Sequence, residues 1–192
     1  MLNKNKKQVI YALLIILGTI ILVVANVCFY FAGKKTDTTE SISTSFKDSS
    51  SITIKNTLPI SDALGKKIDG KGTKEGIQGY SELTIHNNMD TKVAYDICVK
   101  KVETANEIRE NYIKFYLADT ADNPMSGFES NTIPTFNDLP VLVSDPGLYL
   151  LTSDSLQAQE TKTIVLRSWL SDSYAISDES RDFTFTIVVK AK

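Results

Sequence analysis

A chain of 192 residues has room for one anchor and one domain of ordinary size, long enough to bury a real core. Its 21 basic and 23 acidic residues are unevenly placed: Lys4, Lys6 and Lys7 precede every acid, and from Lys34 onward 18 basic residues meet 23 acidic ones, a net charge of −5. Such an acidic body repels phosphates and argues against a nucleic-acid partner, and the single pair Cys28 and Cys98, one of them in an apolar run, excludes a disulfide framework.

In chain order, residues 1–8 are a basic stretch and residues 9–32 carry no charge. At about 1.5 Å of rise per residue, such a run spans a hydrocarbon layer about 30 Å thick. Tyr11 lies toward one end and Phe29, Tyr30 and Phe31 toward the other, where aromatic rings favour the membrane interface. The leading lysines stay inside, so the expected arrangement is a single-pass signal anchor with a cytoplasmic N-terminus and an extracellular remainder. Cleavage after Ala25 is the alternative and would release a secreted domain. Asn26 and Val27 before Cys28 do not fit a lipobox, and no sortase motif stands at the C-terminus.

Residues 33–50 are rich in Ser, Thr and Asp and read as a tether, although Ile42, Thr44 and Phe46 alternate like the start of a strand. Residues 52–55 alternate clearly, and 63–79 form a glycine- and lysine-rich loop. Strands are predicted over 80–86, with Leu83 and Ile85 on one face, and over 93–102, with Val93, Tyr95, Ile97 and Val99 on one face. The polar joint Asn87-Asn88-Met89-Asp90 between them predicts a hairpin. Thr104 and Glu107 have capping-box spacing, which predicts a helical turn before a strand at 113–118.

Residues 119–127 are a turn cluster, and Pro134, Pro140 and Pro146 suit edges and loops. Strands at 148–152, 161–170 and 183–190 complete the set, the last with Phe183, Phe185, Ile187 and Val189 facing inward. Seven to nine short strands and no crossover helix predict an all-β domain over 51–192. It would be an antiparallel β-sandwich, jelly-roll or immunoglobulin-like, preceded by one N-terminal transmembrane helix.

Chemistry-bearing residues are sparse. The run from Gly65 to Gly72 nearly matches a phosphate-binding loop but has Gly72 where Ser or Thr should hold Mg²⁺. His86 is the single histidine, which excludes the common multi-histidine zinc sites. No G-x-S-x-G elbow or S-x-x-K spacing accompanies it. The expectation is therefore no enzyme, no catalytic residue and no cofactor. Asp119, Asp122 and Asn123 are the candidate calcium ligands, though the same residue types populate turns by capping their own backbone. Cys98 reads as a small buried hydrophobe. Trp169 reads first as a half-buried structural aromatic; with Tyr149 and Tyr174 it is otherwise a candidate binding aromatic for a sugar or peptide.

Three segments carry a family resemblance: Cys28-Phe29-Tyr30-Phe31-Ala32 closing the anchor; Tyr80-Ser81-Glu82-Leu83-Thr84-Ile85-His86-Asn87-Asn88 leading into Val93-Ala94-Tyr95-Asp96-Ile97; and Glu160 through Leu170 before the closing strand. Together they resemble the small anchored or secreted sandwich proteins of Gram-positive bacteria, the camelysin and TasA-type matrix-fibre proteins. The resemblance implies a jelly-roll-like sandwich at the cell surface and assembly into fibres or matrix. It carries over no catalytic residue, and no H-E-x-x-H stands here.

The expected function is a membrane-anchored extracellular structural or adhesive protein. Its partners are the lipid bilayer through residues 9–32 and other surface proteins or further copies of itself. The alternatives are an extracellular carbohydrate- or peptide-binding module and an accessory subunit of an envelope complex.

Overall fold

Each alternating run can bury one face and hydrate the other, and among the described residues these runs form eight strands. The structure, a computed structural model, describes residues 41–56, 58–70 and 79–192. The basic stretch 1–8, the expected membrane segment 9–32 with Cys28, the first part of the tether, and residues 71–78 of the glycine-rich loop lie outside the described residues. Among the described residues no helix is long and apolar enough to cross a membrane.

The strands are β1 (Ile42–Phe46), β2 (Ser51–Lys55), β3 (Gly79–Asn87), β4 (Val93–Val102), β5 (Ile113–Asp119), β6 (Leu148–Leu156), β7 (Thr161–Leu170) and β8 (Asp182–Ala191). Described helix is limited to α1 (Asp62–Gly65) and 3-10 turns at Glu110–Tyr112 and Phe136–Asp138. Two antiparallel four-stranded sheets result, ordered β1-β3-β7-β5 and β2-β8-β4-β6. The fold is all-β and sandwich-like. Odd-numbered strands fill one sheet and even-numbered strands the other, so consecutive strands never pair.

The hairpin expected over residues 80–102 is therefore corrected. β3 pairs with β1 and β7, whereas β4 pairs with β6 and β8. Alternation reports that each strand buries one face; it is the same for strands that pair and for strands that face each other across a core. Asn87 makes the corner between the sheets. Its buried side chain donates to the carbonyls of Thr91 (2.8 Å) and Gln157 (2.7 Å) and accepts from the Met89 amide (2.9 Å).

Inward residues of the two sheets meet in an aromatic core. Phe115 from β5 packs edge-on against Phe185 from β8 at 5.0 Å, and Phe136 packs against Phe183 at 5.1 Å. Such pairs add about 0.5–1.5 kcal/mol beyond the area they bury. At Gly79 the sheets approach so closely that a Cβ would stand 2.8 Å from Ile52 Cγ2. Only glycine fits there.

Two smaller differences from expectation have local causes. β1 occupies part of the segment read as tether, because Ile42 and Thr44 are buried by pairing with β3. Thr104 N–H does donate to Glu107 Oε1 at 3.1 Å, but the helical turn forms only at Glu110–Tyr112.

Candidate interaction surface

The four sheet edges are treated unequally. On β5, Leu117 O accepts from Met125 N (3.0 Å), and the amides of Phe115 and Asp119 donate to Pro134 O (3.1 Å) and Asn123 O (2.9 Å). On β6, Leu150 N donates to Pro140 O (2.8 Å) and Leu148 O accepts from Leu142 N (2.8 Å). The β5–β6 connection thus covers both edges on that side, and its prolines lie where an edge needs no further donor.

No described strand lies beyond β1 or β2. Hydrogen bonds from Asn88 N to Ser41 O and from Lys47 N to Glu82 O set the phase of β1. They turn the peptide groups of Ser43 and Ser45 toward β3 and those of Thr44 and Phe46 away from it. Likewise, Ile187 N to Ser50 O and Asn56 N to Arg181 O turn Ile52 and Ile54 toward β8, leaving Thr53 and Lys55 directed outward. Ser51 N is satisfied locally by Ser49 Oγ at 3.0 Å. Among the described residues, therefore, two edges on one side of the sandwich meet no further strand, with Thr44 and Phe46 of β1 and Thr53 and Lys55 of β2 directed outward.

The rim beside β1 is charged. Glu82 Oε1 accepts from Lys47 Nζ (2.9 Å) and from Tyr80 Oη (2.7 Å). Those bonds hold the Glu82 carboxyl below the usual carboxylate range, while burial, then the bond to Glu82, pushes the Tyr80 phenol up to about 12.

The aromatic candidates separate. Trp169 projects from the outer face of the first sheet, opposite Lys114 in register, and is fully buried beneath the β2–β3 connection, so neither ring face is available to a sugar in this arrangement. Tyr149 is half-buried and rests on Phe136 at 4.4 Å; Tyr174 is half-buried and meets Tyr112 edge-on at 5.1 Å. Both tyrosines lie toward the pole that carries the β4–β5 and β7–β8 loops, whereas Ser41 and Lys192 lie at the other pole.

The calcium candidates are engaged with their own chain. Asp119 Oδ1 accepts from the amides of Ala121 and Asn123, and Oδ2 accepts from Asn123 Nδ2, each at 2.9 Å. These bonds hold the Asp119 carboxyl below its ordinary value, the Asn123 side chain first. Asp122 pairs with Arg167 at 2.9 Å, a contact that lacks hydrogen-bond alignment. Among the described residues no cluster of three or more His, Cys, Asp or Glu side chains is arranged to hold a metal ion.

His86, next to the last residue of β3, has Nδ1 on Thr161 Oγ1 at 2.8 Å. Cys98 is buried on the outward side of β4, and burial followed by the nearby Asp96 pushes its thiol up to about 11, which leaves it a poor nucleophile. A shallow open depression of about 360 Å³ is lined by Lys101, Glu107, Arg109, Glu110 and Asn137. Lys101 Nζ bridges Glu107 (2.6 Å) and Glu110 (2.8 Å) there, so the charges neutralise one another. Sequence reasoning missed the unequal edges, because they depend on which strands the 120–147 segment covers. No protein-family model matches this chain, and no curated protein sequence matches it at a significant level.

Proposed function

We propose that this chain is a membrane-anchored extracellular structural or adhesive protein that joins neighbours through the β1–β2 side of its sandwich. The observation that carries the reading is that, among the described residues, the β1 and β2 edges meet no further strand, whereas the β5 and β6 edges are covered. An open edge offers N–H and C=O groups to another strand, and main-chain pairing supplies affinity without a catalytic site. Both edge strands have only five residues, and Lys47 and Lys55 flank them. Short, charged edges of this kind restrain indiscriminate aggregation and favour a specific partner.

The uncharged run 9–32 and the lysines before it support a single-pass anchor with the domain outside. The camelysin- and TasA-like segments support the same surface role. Of the two sandwich types, eight strands suit the jelly-roll better than the immunoglobulin order, in which the consecutive strands A and B pair within one sheet. The test is electron microscopy of the full-length protein in mild detergent as its concentration rises, with protease accessibility of the domain on intact cells. Ordered assemblies and external cleavage support the reading. A strictly monomeric sample, or a protected domain, overturns it.

A further inference from the structure

Trp169 belongs to the buried apolar cluster, together with Ile60 and Ile68, but it enters that cluster from the outer face of the first sheet rather than from between the sheets. Ile164, Leu166, Ser168 and Leu170 of β7 alternate with it and point between the sheets, so Trp169, Arg167 and Val165 lie on the opposite, outer face. Register sets Arg167 between Tyr80 of β3 and Tyr116 of β5, and sets Lys114 beside Trp169. This face carries three aromatic rings and two cations, with Glu82 on Tyr80 at its β3 side and Asp122 on Arg167. Residues 60–68, with α1 at their centre, lie over it.

The covering segment touches the platform in chemically distinct ways. Gly65 lies against the indole so closely that a Cβ would fall 2.2 Å from Cδ2 and Cε2. The Asp62 carboxylate takes both of its bonds from Lys114 Nζ, at 2.8 and 2.9 Å. The Ile68 carbonyl accepts from Arg167 Nε at 2.7 Å. Lys66 stands over the Tyr116 ring at 5.4 Å. Among the described residues two buried atoms of this face have no hydrogen-bond partner: Arg167 Nη1, which only ion-pairs with Asp122 at 2.9 Å, and Trp169 Nε1, although an indole N–H normally finds one.

We propose that this face is a binding platform for an acidic oligosaccharide, held closed by the chain's own residues 60–68. A flat surface on the indole, a carboxylate on Lys114 and an oxygen acceptor on Arg167 are what a uronic-acid residue presents in one unit. A ring or hydroxyl oxygen of the sugar takes the free indole N–H. Asp62 and Ile68 hold those positions until the sugar displaces them. This reading is independent of strand pairing at β1 and β2, which lie at the far edge of the first sheet and in the second sheet.

Trp169 is the single tryptophan, so its fluorescence reports on the platform alone. The experiment titrates the full-length protein in mild detergent with a hexauronate, using a neutral hexaose of the same length and an acidic hexapeptide as comparisons. Binding is followed by calorimetry and by acrylamide quenching of Trp169. Asp62→Ala frees the segment and leaves the platform whole, whereas Lys114→Met frees the same segment and removes the ligand's cation. Hexauronate binding is expected to tighten about tenfold in Asp62→Ala, because the competing closed state is depleted, and to disappear in Lys114→Met, while quenching rises in both. Asp62→Asn, which keeps side-chain size, replaces Asp62→Ala if that variant does not fold. Identical behaviour of the two variants overturns the proposal. So does an absence of hexauronate binding to the freed variant up to about 10 mM, where even weak affinity registers, or an equal response to the neutral sugar or the peptide.

Discussion

Replacing Asn87 by alanine tests the corner that sends consecutive strands into different sheets. The side chain is fully buried and makes three good bonds: to Thr91 O at 2.8 Å, to Gln157 O at 2.7 Å and from Met89 N at 2.9 Å. These tie the β3–β4 connection to the β6–β7 turn. Each such bond contributes about 1 kcal/mol net, and a buried group left without a partner costs more. Thr91 and Gln157 are exposed, so water can reach part of what is lost. The expected destabilisation is about 2–3 kcal/mol.

The assay is equilibrium urea unfolding of the full-length protein, followed by Trp169 fluorescence. Asn87→Asp is the control. It keeps the acceptor for Met89 N but cannot donate to two carbonyls, so it should lose at least as much as alanine near neutral pH. A loss below about 0.5 kcal/mol in Asn87→Ala, the range of an ordinary surface substitution, would refute the reasoning.

Further outcomes follow from the same contacts. Gly65→Ala should cost about 1–3 kcal/mol through overpacking and shift Trp169 emission to the red, since a Cβ at 2.2 Å forces residues 60–68 off the ring; unchanged emission would contradict that close contact. In a Cys28→Ser background, Cys98 should react with thiol reagents only as fast as the domain opens, because the thiol is buried and pushed up to about 11; rapid stoichiometric labelling of folded protein is the contrary result. Glu82 has a folded value below its ordinary 4.5, so its stabilising share is present above pH 4.5 and fades as pH falls through the lowered value. Tyr80 is raised to about 12, so its share is full below its ordinary 10.0 and is lost as pH rises through about 12. Glu82→Gln should flatten the acid limb of a stability profile and bring the Tyr80 phenolate absorbance step, identified as the one lost in Tyr80→Phe, to lower pH; an unaltered profile would refute the Lys47–Glu82–Tyr80 arrangement.

What the sequence could report was burial, one strand at a time. Phe183, Phe185 and Ile187 alternate with threonines, and that pattern alone predicts a strand with one buried face, as β8 has. The ends of β3, β4, β5, β7 and β8 fall within one or two residues of expectation because turn residues such as Asn87-Asn88 and Asp119 stand where the apolar alternation stops. Pairing was not legible. Leu83 and Tyr95 both face the core, yet they do so from different sheets, and nothing in their spacing distinguishes that from a hairpin. β6 runs to Leu156, past the expected end, because its polar residues Ser153 to Ser155 pair with β4 despite little apolar content.

Trp169 shows the same limit on a single residue. Its position in β7 was readable, but its burial depends on Gly65, about a hundred residues earlier, arriving over it. Asp119 reads first as a turn carboxylate and second as a metal ligand, and the three bonds it makes within its own turn match the first. Local chemistry is visible in sequence; the partner that satisfies it is set by the fold.

The open β1–β2 side is tested most directly by removing its outward donors without touching the ladders behind them. Thr44 and Thr53 direct their N–H groups away from β3 and β8, so a double proline substitution, Thr44→Pro with Thr53→Pro, deletes edge donors and spares the pairing within each sheet. Sedimentation and electron microscopy of full-length wild-type and doubly substituted protein, over the same concentration series, read the outcome. Wild-type protein should assemble and the double variant should stay dispersed while unfolding as one cooperative unit; assembly of both alike, or of neither, would contradict the account.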